Sequence, residues 1–274
     1  MLKDITLGQY LPGKSLVHQL DPRTKILLTI VYIAMIFCVS NPVWYVIPLA
    51  FLILCAKMSG LKAAQLLKTV KPLRFLLILT FVLNLFFSSG ETVLVSWGIL
   101  RITREGLITA VHFCMRLIFL VAGTSVLTLT TSPISLCDGM ETLLKPLSKL
   151  HFPAHELAMM MTIALRFIPT LIEEADKIMK AQMARGADFE SGNLIKRAKA
   201  MVPLLVPLFI SAFRRANDLA MAMEARCYRG GEGRTKMKPL KYHKEDRMAY
   251  ITVIAYVILV VVIGRCVPVH IWVF

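Results

Sequence analysis

The chain reads as an all-α integral membrane protein with about five transmembrane helices and long cytoplasmic amphipathic helices between the last two. Three observations carry that expectation. Of 274 residues, 57% are hydrophobic and 18% charged, and mean hydropathy is +0.66, too apolar for a soluble domain of this length. Apolar runs alternate with blocks of Lys and Arg, as where spans meet cytoplasmic loops. Between residues 130 and 248 the apolar positions instead recur at helical spacing opposite charged ones, the mark of helices with one wet face.

The first 25 residues carry Asp4, Lys14, His18, Asp21 and Arg23 without a continuous apolar core, so no cleavable leader is expected. Ile26–Ser40 and Val43–Met58 are the first two predicted spans, separated by Asn41-Pro42, a pair that favours a turn and stops a helix. Each is shorter than the roughly 20 residues of a perpendicular span, so flanking residues extend them or the bilayer adapts. Lys57, Lys62, Lys68, Lys71 and Arg74 form a basic connector, Leu73–Phe87 is span three, and Ser88-Ser89-Gly90 is expected to end it. Glu91–Arg104 is mixed and compatible with a short hairpin. Leu107–Leu129 is span four and Ala249–Val267 the last.

These elements divide the chain into a four-span membrane part (1–129), a cytoplasmic coupling-helix region (130–248) and a C-terminal span (249–274). The excess of Lys and Arg before span one and across 130–248 places the N-terminus and the long region in the cytoplasm of a cell-membrane protein. Within that region Ser132-Pro133, Lys145-Pro146 and Phe152-Pro153 bound a short helix, Ile134–Leu144. An amphipathic helix of about 30 residues then starts near His155, with Ile168, Leu171, Ile172, Ala175 and Ile178 on one face and Glu173, Glu174, Asp176, Lys177 and Lys180 on the other. A second runs from about Asn193 through Pro203 and Pro207 to Tyr228. Leu157–Phe167 and Met201–Ile210 are apolar enough to dip into the bilayer, but their length and Arg166 argue against full spans. Both helices are rich in Met, which packs adaptably as core filler or as a surface for varied partners.

Each amphipathic helix closes on a related triplet, Ala184-Arg185-Gly186 and Ala225-Arg226-Cys227, 41 positions apart. The same offset matches Ala175 to Ala216 and Ala181 to Ala222. An Arg flanked by small residues can push its rigid five-donor fork into a groove without neighbouring side chains holding the backbone away. Two equivalent triplets imply the same groove offered twice by a paired soluble partner. This pattern points to coupling rather than catalysis.

Other patterns are excluded by context. The net charge of +15 is not a nucleic-acid footprint, because the basic residues fall in blocks between spans and no nucleic-acid motif accompanies them. Gly8-Gln9-Tyr10-Leu11-Pro12-Gly13-Lys14-Ser15 matches the phosphate-loop pattern GxxxxGK[ST] letter for letter, but that motif works between a buried strand and a helix, and a span follows here instead. The chain therefore binds no nucleotide of its own. His151 and His155-Glu156 lack HExxH order, no GxSxG elbow occurs, and six scattered cysteines support neither disulfides nor metal sites. His112 and Arg116, one turn apart in span four, and Asn84 in span three are intramembrane polar residues, read either as a packed polar face or as a substrate contact.

The segment Ser15-Leu16-Val17-His18-Gln19-Leu20-Asp21-Pro22-Arg23-Thr24-Lys25, with the two triplets, resembles the transmembrane T component of energy-coupling factor (ECF) vitamin transporters over nearly the whole chain. The family motif falls on His18, Asp21, Pro22, Arg23 and Lys25; Cys227 stands where the family has Gly. The resemblance implies a non-catalytic scaffold, without a cofactor of its own, that joins two cytoplasmic ATP-binding ATPase subunits to a small substrate-binding membrane protein, the S component. The Arg of each triplet would sit in one ATPase. Read from local physics alone, Asp21-Pro22 is a helix start, Asp as cap and Pro at the first position, with Arg23 and Lys25 marking the inner membrane surface. Two competing readings are a self-sufficient permease or secondary transporter binding substrate near His112 and Arg116, and a membrane enzyme using His151 or His155.

Overall fold

The computed structural model describes residues 10–39, 41–87, 92–97, 100–146, 152–187, 189, 193–231, 237 and 239–266, which form ten α-helices and one hairpin. After the four-residue α1 (Leu16–Gln19), Asp21 caps α2 (Pro22–Cys38) by accepting the Arg23 N–H at 2.9 Å, with Pro22 at the first helical position where no donor is needed. Asn41 does the same for a 3-10 turn, Pro42–Tyr45, that runs into α3 (Val46–Ser59), so the expected break lies where the Asn-Pro pair puts it. Gly60 ends α3 with φ +68°, a conformation only Gly adopts without strain.

Helix α4 (Ala63–Val70) passes through a second 3-10 turn at Pro72 into α5 (Arg74–Phe87). The expected stop at Ser88-Ser89-Gly90 lies outside the described residues. The mixed segment is a hairpin, β1 (Val93–Trp97) antiparallel to β2 (Leu100–Thr103), which leads into the 27-residue α6 (Arg104–Thr130). Then follow α7 (Pro133–Leu144), α8 (Ala154–Ala184), α9 (Leu194–Ala225) and α10 (Lys244–Cys266).

Among the described residues, four helical stretches are long and apolar enough to cross a membrane: Pro42–Ser59, Ala63–Phe87, Arg104–Thr130 and Ala154–Ala184. The last differs from the expectation that Leu157–Phe167 is too short to span. Pro169 does not interrupt α8, so the apolar Leu157–Phe167 joins one unbroken 31-residue helix. Helix α10 begins five residues before the sequence boundary because Lys244–Met248 form its first turns.

The chain divides into two compact units, residues 8–139 with 240–274, and residues 140–239. In the first, Tyr32, Ile36, Val39, Tyr45, Phe119, Tyr256 and Val260 form the buried core of α2, α3, α6 and α10. The Tyr32 hydroxyl donates to the Phe119 carbonyl at 3.0 Å, satisfying its polar tip inside an apolar bundle. Its ring lies over Gly123, where a Cβ would stand 2.0 Å from Tyr32 Cε1. Gly123→Leu is therefore expected to displace Tyr32 and lower the thermal unfolding midpoint of the detergent-solubilised chain, whereas a change at the open Gly264 leaves it unmoved.

Candidate functional site

In the second unit α8 packs on α9, and the pair meets through Glu174, which accepts from Arg215 Nη2 at 2.9 Å and from the Ser211 hydroxyl at 2.5 Å. Residues 174 and 215 are 41 apart, the offset that relates the two triplets. The two helices thus meet at equivalent positions, and each triplet Arg follows the meeting point by eleven residues, about 16 Å of helix. Arg185 and Arg226 stand in equivalent places on the two arms.

Both helix ends have the same backbone. At the first, the Gly186 N–H donates to Met183 O and the Ala187 N–H to Gln182 O, each at 3.0 Å. At the second, Cys227 donates to Glu224 O at 2.8 Å and Tyr228 to Met223 O at 3.0 Å. This paired pattern is the Schellman motif, and it needs a left-handed residue after the cap. Gly186 supplies φ +89°, and Cys227 is forced to φ +55°, the only positive φ of a non-glycine among the described residues. The departure at Cys227 therefore keeps the shape of the end and holds it under strain. All six residues, Ala184, Arg185, Gly186, Ala225, Arg226 and Cys227, are exposed. Cys227→Gly is expected to raise stability by about 1 kcal/mol, and Gly186→Ala to lower it by a similar amount, both read as shifts in thermal unfolding.

The N-terminal motif has a different character. Its residues join the start of α2 to the end of α6 and the start of α10. Leu11 donates its N–H to the Leu129 carbonyl at 2.9 Å. His18 donates through Nε2 to the Leu11 carbonyl at 2.9 Å and accepts from the Ser15 hydroxyl at Nδ1, 2.6 Å away. The part of the phosphate-loop look-alike within the described residues thus spends Leu11's amide on α6 and Ser15's hydroxyl on His18. Arg23 clasps Asp21 through Nε and Nη2 at 3.1 and 2.8 Å, and its guanidinium lies 4.3 Å from the centre of the Tyr242 ring. Burial outweighs the neighbouring Arg23 cation and raises the Tyr242 phenol above its ordinary value, keeping the ring neutral as a cation partner. Lys25 is only 6% exposed and donates to the carbonyls of His18 and Thr130 at 3.2 and 3.0 Å, closing the last turn of α6. Those two carbonyls hold Lys25 inside the bundle.

Asp246, which the sequence reading passed over, completes the clasp. It is 1% exposed and accepts the Asp21 N–H at 2.9 Å and the His243 N–H at 2.8 Å. The second bond is half of a capping box at the start of α10, a signal present in the sequence as an acid three residues after His243.

The remaining polar residues are also engaged. Arg116 Nη2 donates to His112 Nε2 at 2.9 Å and to the Val39 carbonyl at 3.3 Å, while the His112 ring stands edge-on to Tyr45. Asn84 donates to the Thr80 carbonyl of its own helix. His155 Nδ1 lies 2.9 Å from Glu141 Oε1, and its Nε2 lies 3.5 Å from the Tyr228 hydroxyl. A Cβ on Gly231 would stand 2.3 Å from the His155 ring. His151 lies outside the described residues.

Residues 13–237 match the family described as cobalt transport protein. The chain is 57% identical over 250 residues to the energy-coupling factor transporter transmembrane protein EcfT of Thermosediminibacter oceani, covering 91% of this chain and 94% of that one. It is 58% identical over 250 residues to the protein of the same name from Clostridium kluyveri (91% and 93% covered), and 53% identical over 268 residues to that of Acidaminococcus fermentans (98% and 100% covered). With its apolar helices, polar clasp and matched helix ends, the chain belongs to the energy-coupling factor transporter transmembrane proteins, EcfT, of the cobalt transport protein family, a multi-pass membrane component of an ECF transporter.

Proposed function

We propose that the chain is the non-catalytic scaffold of the transporter, coupling ATP hydrolysis by two cytoplasmic ATPase subunits to uptake of a vitamin or other micronutrient through a substrate-binding S component. The observation that carries this reading is the pair of exposed Arg-bearing helix ends, alike in backbone and equally far from the point where their helices meet. A dimer of ATPases has two equivalent grooves, and two equivalent plugs fit it. Arg is suited to the role because its fork donates bidentately and stays charged when desolvated. In this reading the triplets and the N-terminus face the cytoplasm, ATP resides in the partner subunits, and the six triplet residues form the contact. The clasp of His18, Asp21, Pro22, Arg23 and Lys25 then serves as structural support within the membrane unit.

The His112–Arg116 pair does not favour a substrate site in this chain, since Arg116 is committed to a carbonyl at the end of α2 and to His112 itself. The test is to tag the chain, extract it gently from its native membrane and identify what copurifies. Two ATPases and at least one small hydrophobic protein are expected. A chain that purifies alone and binds a solute by itself overturns the reading.

A further inference from the structure

The basic connector between α3 and α5 has no part in the coupling reading, and its placement is defined on both sides. From Lys57 to Arg74 the sequence contains Lys57, Lys62, Lys68, Lys71 and Arg74 and no acidic residue. All five basic residues are exposed. Helix α4 is fastened to the bundle by Leu66, which is buried against Leu61 and Leu129. Lys68 falls on the far side of α4 from Leu66 at 3.6 residues per turn, with Leu67, 67% exposed, beside it, and the exposed Lys71 opens the 3-10 turn that follows. The orientation of α4 is therefore set by its apolar contact, and that contact turns Lys68 outward.

The flanks fix its depth. Helix α3 ends with exposed Leu54 and Met58 around Lys57, and α5 begins its exposed apolar face at Phe75, 75% exposed, one residue after Arg74. The stretches Pro42–Ser59, before the connector, and Ala63–Phe87, which begins with α4 itself, are each long and apolar enough to cross the membrane. Side chains that meet hydrocarbon stand within one turn of the basic residues at each end, so the connector lies in the headgroup layer. A surface with five cations, no anion and one exposed Leu at that depth is complementary to negatively charged headgroups.

We propose that residues 57–74 form a binding surface for anionic phospholipid headgroups, with Lys62, Lys68 and Lys71 as its principal contacts and Leu67 inserted between the lipids. The inference rests on membrane insertion and not on the ATPase reading.

The test uses the transporter complex copurified with the chain and reconstituted in phosphatidylcholine vesicles holding a minor share of spin-labelled phosphatidylglycerol or spin-labelled phosphatidylcholine. The lipid fraction immobilised at the protein surface is measured by electron spin resonance. The wild type is expected to prefer phosphatidylglycerol roughly ten-fold, falling as salt rises, and Lys62→Gln with Lys68→Gln and Lys71→Gln to remove most of that preference. The matching triple Lys→Arg variant keeps it, as does Lys177→Gln with Lys180→Gln, which removes two cations from α8 instead. The proposal is overturned if the wild type shows no preference, or if the Gln variant retains it. It is equally overturned if the Gln variant keeps its lipid preference and loses a copurifying protein, because the surface is then a protein dock.

Discussion

A chain carrying Arg185→Glu together with Arg226→Glu is expected to insert in the membrane at wild-type levels and to purify without ATPase subunits. Both positions are exposed and lie beyond the last helical turn, so neither change disturbs packing within the chain. In a groove that accepts a guanidinium, a carboxylate meets the acceptors as a like charge, at a cost of several kcal/mol per site. Two such sites are expected to lower ATP-driven uptake by at least two orders of magnitude. The single reversals are informative because the two ends are alike: each is expected to weaken association by a comparable factor. Retention of both ATPases by the double variant at wild-type ratio, measured by quantitative mass spectrometry of the purified complex, would sink the coupling reading.

The second large effect is expected at Asp246→Ala. Asp246 is 1% exposed and receives N–H groups from Asp21 and His243. Its carboxylate is also the larger of two favourable charges acting on buried Lys25, the other being Asp21. Removing it orphans the buried Asp21 N–H and the half-buried His243 N–H and leaves a buried ammonium short of its counter-charge, which is expected to lower stability by roughly 3–5 kcal/mol. Thermal unfolding of the solubilised chain reads this directly. Lys25→Met in the same background is expected to restore part of the loss, because the two groups are coupled and their separate costs do not add. Strict additivity would show that Asp246 acts only through the two N–H groups.

The helices were legible because hydrophobic runs and turn residues act locally: Asn41-Pro42 breaks the chain where its own side chain caps the next turn, and Asp21-Pro22 starts α2 by the same chemistry. The triplets were legible as a repeat. Two things were not. The burial of Lys25 was not readable, because nothing nearby in sequence shows that the Thr130 carbonyl, 105 residues away, closes over it. Asp246 went unnoticed because the final span was read from its first apolar residue, Ala249, while its partner Asp21 lies 225 positions earlier. The length of α8 was legible from its helical spacing, about 30 residues from His155, because Pro169 costs an interior hydrogen bond but leaves the helix continuous.

The ion pair of Glu174 and Arg215 sits at matching places in the two repeated helices, and this sets a mechanical ratio. A pivot with equal arms divides any rotation equally, so under the proposed coupling neither ATPase would gain leverage over the other. With about 16 Å from pivot to each Arg, a turn of about ten degrees carries each tip about 3 Å, the scale of one hydrogen bond. Under the proposed coupling, small closures of the ATPase pair would be read at the crossing as angle rather than as translation. In that reading the Glu174–Arg215 ion pair would be the fulcrum whose loss lets the arms slide.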